Sequence, residues 1–449
     1  MVRLFAVADD LTGANATGAL LAARGFRAAT LRPERLDVLP ATPPYDALIV
    51  SSNSRALPAD EAYARVRMCF SRFKGKGASQ FSKRIDTTLR GNVAAEIDAA
   101  LDELNGVEMA VVVPAFPKSG RITVGGYQIV NGIPLEKTPV AQDPRTPVSK
   151  SHVPSLIQEG TNRKVTSIHL GDVLRGWENT LQHLVEARSS GAQVVVVDAT
   201  TDDEIETIAR AASHLPFRVL AVDPGPFTAS TAVASSTLGP SHSIPGRRGR
   251  VVLAVVGSVT PLTRTQIRRL KDTLPNATIP VDASALAAGE LPRSETMVRD
   301  AVERVLGAIS ARASQDMVVI VTSSSTQEDT LDLAGLDRQM SRAMGTSAAN
   351  LSSGLGRIAR TVLESAKQEI AGLYVTGGDI TLAVLEEMGA AGIEVSMEIL
   401  PLAAFGTVVG GPHEGLKLVT KGGLVGGEDA AVQCVCHLLQ CSTGWRDSS

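Results

Sequence analysis

"VRLFAVADDLTGANATGALLAARG", residues 2–25, sets the fold by the order of its pieces. Residues 2–8 form an apolar run that reads as a buried strand, and 14–24 carry the apolar face of a helix. Between them lies a short polar turn with two adjacent carboxylates, Asp9 and Asp10, followed by Thr12 and Gly13. A strand, a tight turn and a helix N-terminus are the local layout of the ligand-binding edge of an α/β sheet. Helix capping by Asp or Thr accounts for one of these side chains. Two carboxylates exceed what one cap needs, so the pair is a candidate for chemistry.

The same alternation continues outward. Strands are expected at 46–51, 79–85 and 109–116, and helices at 59–73 and 93–104. Further strands lie in "KVTSIHL", "AQVVVVDAT" and "RVLAVDPG", with helices around 172–188 and 202–213. Short β-branched runs separated by amphipathic helices imply a mostly parallel sheet covered on both faces. Residues 228–250 are small, polar and punctuated by Pro and Gly, which is linker chemistry, with an ordered loop carrying function as the alternative for part of it. "VVLAVVGS", "DMVVIVTSSS" and "GLYVTGGD" then restart the strand pattern. The expected fold is α/β, with two α/β domains of mostly parallel sheet, 1–235 and 251–449, joined by a linker at 236–250. A cleft between two such domains is the natural place for a reaction joining two substrates.

The 449 residues are 44% hydrophobic and 20% charged, the profile of a globular chain with a substantial core. A net charge of −3 and only 3% aromatics leave nucleic-acid binding without charge or stacking surfaces. No signal peptide precedes the first strand and no apolar run is long enough to span a bilayer, so a cytoplasmic protein without a membrane partner is expected. Cys434, Cys436 and Cys441 cluster in an apolar C-terminal helix and read as core packing rather than metal ligands.

"KRIDTTLRGN", residues 83–92, packs Lys83, Arg84, Asp86, Thr87, Arg90 and Gly91 into a strand end and a turn before a helix. Cations and hydroxyls at a helix N-terminus suit a carboxylate or phosphate. Arg55, after the second strand, falls on the same sheet edge. The insert from Pro117 to Pro154 is too long for a casual connection; its Gly125–Gly126 pair predicts a hairpin, and it reads equally as a pocket cover or a dimerisation arm. In the second half, Ser258 and Thr260 follow a strand, with Pro261 at a first helical position. Gly377, Gly378 and Asp379 sit between a strand and a helix, and "TKGGLVGG", with Lys421 and Gly423, precedes the final helix. Three such turns in one domain suggest a nucleotide phosphate site. Neither the P-loop pattern nor a Gly-x-Gly-x-x-Gly helix start is present.

"ADDLTGA", "KRIDTTLRGN", "PAFPKSGRITVGG", "TPVAQDPRTPVSKSHVPSLI", "TGGD" and "TKGGLVGG" occur in the order of the four-carbon acid sugar kinase family, which this chain resembles over nearly its whole length. The resemblance implies an N-terminal domain that binds the sugar acid and a C-terminal domain that binds ATP. Members phosphorylate the terminal hydroxyl of threonate, erythronate or a 3-oxo-tetronate. Carried over by motif, Asp9, Asp10, Arg55, Lys83, Asp86, Thr87, Arg90 and Gly91 would meet the acid sugar. Ser258, Gly377, Gly378, Asp379, Ile380 and Gly423 would meet ATP. The "TPVAQDPRTPV" loop looks more like the threonate/erythronate branch than the oxo-tetronate branch. Two departures stand out. The family's Gly-Gly-Phe-Gly reads Gly-Gly-Leu-Val-Gly, which puts that contact in doubt, and its Asp-Ser-Thr reads Asp86-Thr87-Thr88, which keeps a hydroxyl.

Phosphoryl transfer asks a protein for positioning and charge neutralisation. Lys83 and Arg90, with Arg55, are expected to hold the substrate carboxylate, and a carboxylate must take the hydroxyl proton. Asp10 is the first choice, Asp86 the second and Asp379 a distant third; the other member of the Asp9–Asp10 pair would position the turn. Mg2+ is expected to be held by ATP and water, with no dedicated protein cage. A homodimer is an open possibility. A 3-oxo-tetronate 4-kinase, a hydroxy-acid dehydrogenase and a non-catalytic sugar-acid-binding protein are the alternatives.

Overall fold

The computed structural model describes residues 2–38, 43–73, 77–143, 145–234, 249–257, 260–312, 315–323, 331–423 and 425–440. It divides into two compact units, Met1–His242 and Ser243–Ser449.

In the first unit the strands are β1 (Leu4–Ala8), β2 (Ala28–Leu31), β3 (Ala47–Ser51), β4 (Gln80–Arg84), β5 (Val107–Val112), β6 (Arg121–Val124), β7 (Tyr127–Val130), β8 (Ile133–Pro134), β9 (Val165–Ile168), β10 (Val194–Val197) and β11 (Arg218–Asp223). Its main sheet runs β2-β3-β1-β4-β11-β5-β10-β9, and every pairing in it is parallel. Helices cover both faces, which is why its central strands are buried apolar runs rather than alternating ones. The connection from β1 leads to one side of the sheet, and β4 lies on β1's other flank. Such a reversal opens a crevice at the carboxyl ends of the strands. The insert forms the antiparallel hairpin expected from Gly125 and Gly126, which sit at φ 59° and 78° between paired Val124 and Tyr127. Asp198, fully buried after β10, accepts hydrogen bonds from the Gly125 and Gly126 amides at 2.6 and 2.9 Å and fixes the turn on the main sheet.

The linker stretch needs one correction. Residues from 228 are not all connecting chain, because a helix spans Pro226–Ala234. Its residues Pro226 to Thr231 and Ala232 are buried, and the Asp223 carboxylate accepts from the Phe227 and Thr228 amides at its start. Small residues that look like linker in sequence are here the close-packed face of a helix.

The second unit contains β12 (Val251–Val256), β13 (Asn276–Pro280), β14 (Met317–Thr322), β15 (Ile370–Thr376), β16 (Gly392–Leu400), β17 (Ala403–Val409) and β18 (Lys417–Lys421). The order is β13-β14-β12-β15-β18-β17-β16. Its first five strands pair in parallel, and β17 and β16 add an antiparallel pair. The crossover direction changes between β12 and β15, giving a second switch point. Cys434 and Cys436 lie in its core on the helix Ala430–Leu439; Cys441 is outside the described residues.

Candidate active site

At the first switch point β1, β3 and β4 end together, and the residues just beyond them form one charged cluster. Asp9 is buried; its Oδ2 accepts from Arg55 Nε at 2.6 Å and its Oδ1 from Arg84 Nη1 at 3.1 Å. Asp10 Oδ1 accepts from the Gly13 amide at 2.8 Å and from Arg84 Nη1 at 3.2 Å, while Oδ2 faces Arg55 Nη1 at 2.8 Å. Arg55 reaches Asp86 as well, at 3.4 Å. Asp86 accepts from Arg90 through Nε and Nη2 at 2.9 and 3.1 Å, a forked pair that sets the guanidinium plane. Its Oδ2 also accepts from the Thr88 amide and hydroxyl. Arg90 Nη1 extends to Asp143 of the insert, at 3.4 Å.

The two neighbouring aspartates divide their work differently from expectation. Asp10, the nominated base, is itself the cap of the helix Leu11–Ala22. Asp9 instead anchors two arginines from below. Asp10 is also the more accessible, with a side-chain exposure of 24% against 2% for Asp9 and 5% for Asp86. Burial pushes Asp86 up, but Arg55, Arg90 and Arg84 outweigh it and hold its carboxyl far below the carboxylate range. Burial likewise opposes ionisation of Asp9, and Arg55, Arg84 and Lys83 overcome it to lower its pKa.

Lys83 is buried in an ion pair with Glu96. Adjacent strand residues point to opposite faces, so Lys83 and Arg84 part company. Arg84 reaches the aspartates, whereas Lys83 is fully buried and pairs with Glu96 at 2.7 Å. The expectation from sequence has Lys83 holding the substrate carboxylate; in this geometry its ammonium is engaged by Glu96. Glu96, on the helix Val93–Glu103, also accepts from Ser54, which neighbours Arg55. Burial pushes Glu96 up against the pull of Lys83.

Three glycine and turn positions explain the local shape. A Cβ on Gly13 would overlap the Arg84 guanidinium, and one on Gly91, at φ 93°, would press Arg55 at 3.2–3.3 Å. Leu89 holds φ 59° in the turn between Asp86 and Arg90, a conformation disfavoured for a branched side chain. Thr87 is buried, and its carbonyl accepts from Gln128 of the insert at 3.1 Å. Arg121, on β6, feels both Asp86 and Arg90, and burial pushes its pKa down. Its Nε is buried without a hydrogen-bond partner. A cavity of about 420 Å³ adjoins the cluster, sharing Arg55 and Gly91, with Leu57, Val93 and Val148 in its apolar wall and Arg145 at its edge.

In the second unit the expected residues gather at the ends of β12, β15 and β18. The Gly377 amide donates to the Lys421 carbonyl at 2.8 Å, tying two strand ends together. Gly257 meets the Ile380 side chain, so Ile380 is a packing residue whose side chain lies in the core. Gly377, at φ 105°, precedes the helix Gly378–Glu387, and Asp379 is exposed in its first turn. Thr260 caps the helix Pro261–Thr273, with Pro261 in its first turn as expected. The Gly423 carbonyl accepts from the hydroxyls of Thr260 and Thr263 at 3.1 and 2.9 Å. Two helix N-termini and a glycine turn thus share one edge, where free amides and helix dipoles favour an anion. Ser258 is outside the described residues. Burial pushes the Lys421 ammonium down to about 8, with Cys434 opposing.

An aspartate cluster held by arginines on one α/β unit and a glycine-lined strand edge on another make this a two-unit α/β protein with a candidate site on each unit. The sequence matches the description "Sugar-binding N-terminal domain" over residues 4–231 and "Nucleotide-binding C-terminal domain" over 253–431. It is 41% identical to a D-erythronate kinase of Heliobacterium modesticaldum, over 98% of either chain. A D-threonate kinase of Salmonella typhimurium is 29% identical over 99% of this chain and 100% of that one. A solved Haemophilus influenzae protein of the DUF1537 family shares the fold at a TM-score of 0.72 and 22% identity, covering 97% of this chain and 100% of that one. The chain belongs to the four-carbon acid sugar kinase family, and it is a kinase.

Arg84, Glu96 and Arg121 escaped the choice of site residues made from sequence. Alternation along β4 is the signal that separates Arg84 from Lys83; nothing local marks Glu96 or Arg121.

Proposed function

We propose that this kinase transfers the γ-phosphate of ATP to the 4-hydroxyl of D-erythronate, with D-threonate as the second substrate to test. The observation that carries this reading is the Asp9–Asp10–Asp86 cluster bound by Arg55, Arg84 and Arg90, in a chain 41% identical to a D-erythronate kinase. Arg121, whose Nε has no hydrogen-bond partner, and Arg90, more exposed than Arg55, take the substrate carboxylate. Asp10 receives the hydroxyl proton, because it is the most exposed of the three. Asp86 is too weak a base for that step, since proton transfer favours a pKa near the working pH. Asp9 holds Arg55 and Arg84 in place so that the cluster is organised before substrate arrives.

The glycine edge of the second unit takes the nucleotide phosphates. Among the described residues no group of three or more His, Cys, Asp or Glu side chains could hold a metal ion. Asp9, Asp10 and Asp86 are engaged by arginine, so these residues do not form a metal cage and no step here runs through one; Mg2+ belongs to this proposal as a companion of ATP. No helix among the described residues is long and apolar enough to cross a membrane. A cytoplasmic location, where ATP is supplied, and a homodimer complete the proposal.

ADP release measured with D-erythronate, D-threonate and 3-oxo-tetronate tests it. Turnover with D-erythronate or D-threonate at least tenfold above the oxo acid is expected. Turnover confined to the oxo acid, or none with any of the three, overturns it.

A further inference from the structure

Before the last helix, the carbonyls of Gly422, Gly423, Val425, Gly426 and Gly427 are held by buried side chains. Lys421 Nζ donates to the Gly422 carbonyl at 2.7 Å and to that of Val425 at 3.3 Å. Thr263 donates to Gly423, at 2.9 Å. Gln266, one turn further along the same helix, spreads its amide over three acceptors: Val425 at 2.9, Gly426 at 3.4 and Gly427 at 2.9 Å. Thr263 and Gln266 are 1% exposed and Lys421 is 2% exposed. This is costly machinery for a surface turn. A buried ammonium with carbonyls as its acceptors, an amide shared three ways and the Thr263 hydroxyl hold five carbonyls inward.

A trans peptide sets each N–H opposite the preceding carbonyl. With the carbonyls of Gly422, Val425, Gly426 and Gly427 turned inward, the amides of Gly423, Gly426, Gly427 and Glu428 turn outward. Successive outward amides form an anion receptor that needs no side chain. Glycine suits it, because Gly426 adopts φ 81° and a Cβ there would meet Ala430.

We propose that Gln266, Thr263 and Lys421 are positioning residues that shape the backbone at Gly422, Gly423 and Val425–Gly427 into a receptor for the polyphosphate of the nucleotide. The inference rests on the kinase reading above. Within Gly-Gly-Leu-Val-Gly, the Val425 carbonyl is a shared anchor of Lys421 and Gln266. None of the three residues touches the nucleotide itself; each acts through the loop.

The test is calorimetric binding of an ATP analogue with a non-hydrolysable β–γ bridge, alongside binding of D-erythronate, by the full chain. Gln266→Met keeps length and removes the donor, and Thr263→Val keeps shape and removes the hydroxyl. Each is expected to weaken the analogue about tenfold or more, to raise the KM for ATP more than it lowers kcat, and to leave acid-sugar affinity within twofold. Thr263→Ser, which restores the hydroxyl, should return analogue affinity to within threefold of wild type. Analogue affinity within twofold of wild type in a folded Gln266→Met or Thr263→Val protein overturns the clamp and leaves the kinase reading intact. A wild type that turns over no acid sugar and binds no analogue overturns both. If Gln266→Met fails to fold, the Thr263 pair decides. Equal loss of analogue and acid-sugar binding in Thr263→Val marks general disruption and counts against the proposal.

Discussion

Replacing Asp10 by Asn separates proton chemistry from architecture. Asn caps helices about as well as Asp, so the bond from the Gly13 amide at 2.8 Å survives on the amide oxygen. On the other branch an NH2 group replaces Oδ2 opposite Arg55 Nη1, which stood at 2.8 Å. Arg55 keeps Asp9 and Asp86 as partners, and Asp10 is part-exposed, so the folding loss should be about 1 kcal/mol. Loss of a general base typically costs about 10²–10⁴ in rate, or roughly 2.7–5.5 kcal/mol on the barrier. The barrier therefore rises by more than stability falls. Steady-state ADP release gives kcat and KM, and thermal unfolding reports the fold. The expected result is a kcat lower by two to four decades, a KM for the acid sugar within a few-fold of wild type, and a melting temperature lower by a few degrees. A folded Asp10→Asn enzyme within about fivefold of wild-type kcat would refute the assignment.

Other outcomes follow from the same cluster. Gly13→Ala should lower the melting temperature although alanine is favoured in helices by about 1 kcal/mol, because its Cβ displaces the Arg84 guanidinium; a stabilised, active variant counts against that packing. Lys83→Met should cost about 3–5 kcal/mol in denaturant unfolding by stranding Glu96 as a buried charge. Lys83→Met with Glu96→Leu should recover most of it, and acid-sugar KM in the double variant should stay within threefold; a large KM rise would restore Lys83 as a ligand. Asp86 has a folded pKa below its unfolded value, so it stabilises the chain fully above about pH 4. That contribution is lost as pH falls below 4 towards the folded pKa, so denaturation midpoints should drop with acid more steeply in wild type than in Asp86→Asn. Parallel acid slopes would show that Asp86 does not carry this linkage.

Much of the site was legible because a parallel sheet sends all its strand ends to one edge. Motifs that follow strands, such as Asp9–Asp10, Arg55 and Asp86, must then be neighbours whatever the details between them. The same reasoning brings the turns at Gly257, Gly377 and Lys421 together. Small residues misled at 228–234, where composition resembles a linker but the side chains pack closely as a helix. The antiparallel strands β16 and β17 went unread, and so did the partners of each charge.

Sequence by itself determined the α/β alternation, the two units and the edges where chemistry gathers, because burial periodicity and turn residues act over a few positions. Only the tertiary structure decided that Arg84 rather than Lys83 meets the aspartates, that Glu96 neutralises Lys83, and that Gln266 grips a loop some 160 positions away. Those choices depend on which groups meet in space, and an ion pair or hydrogen bond senses distance, not position along the chain.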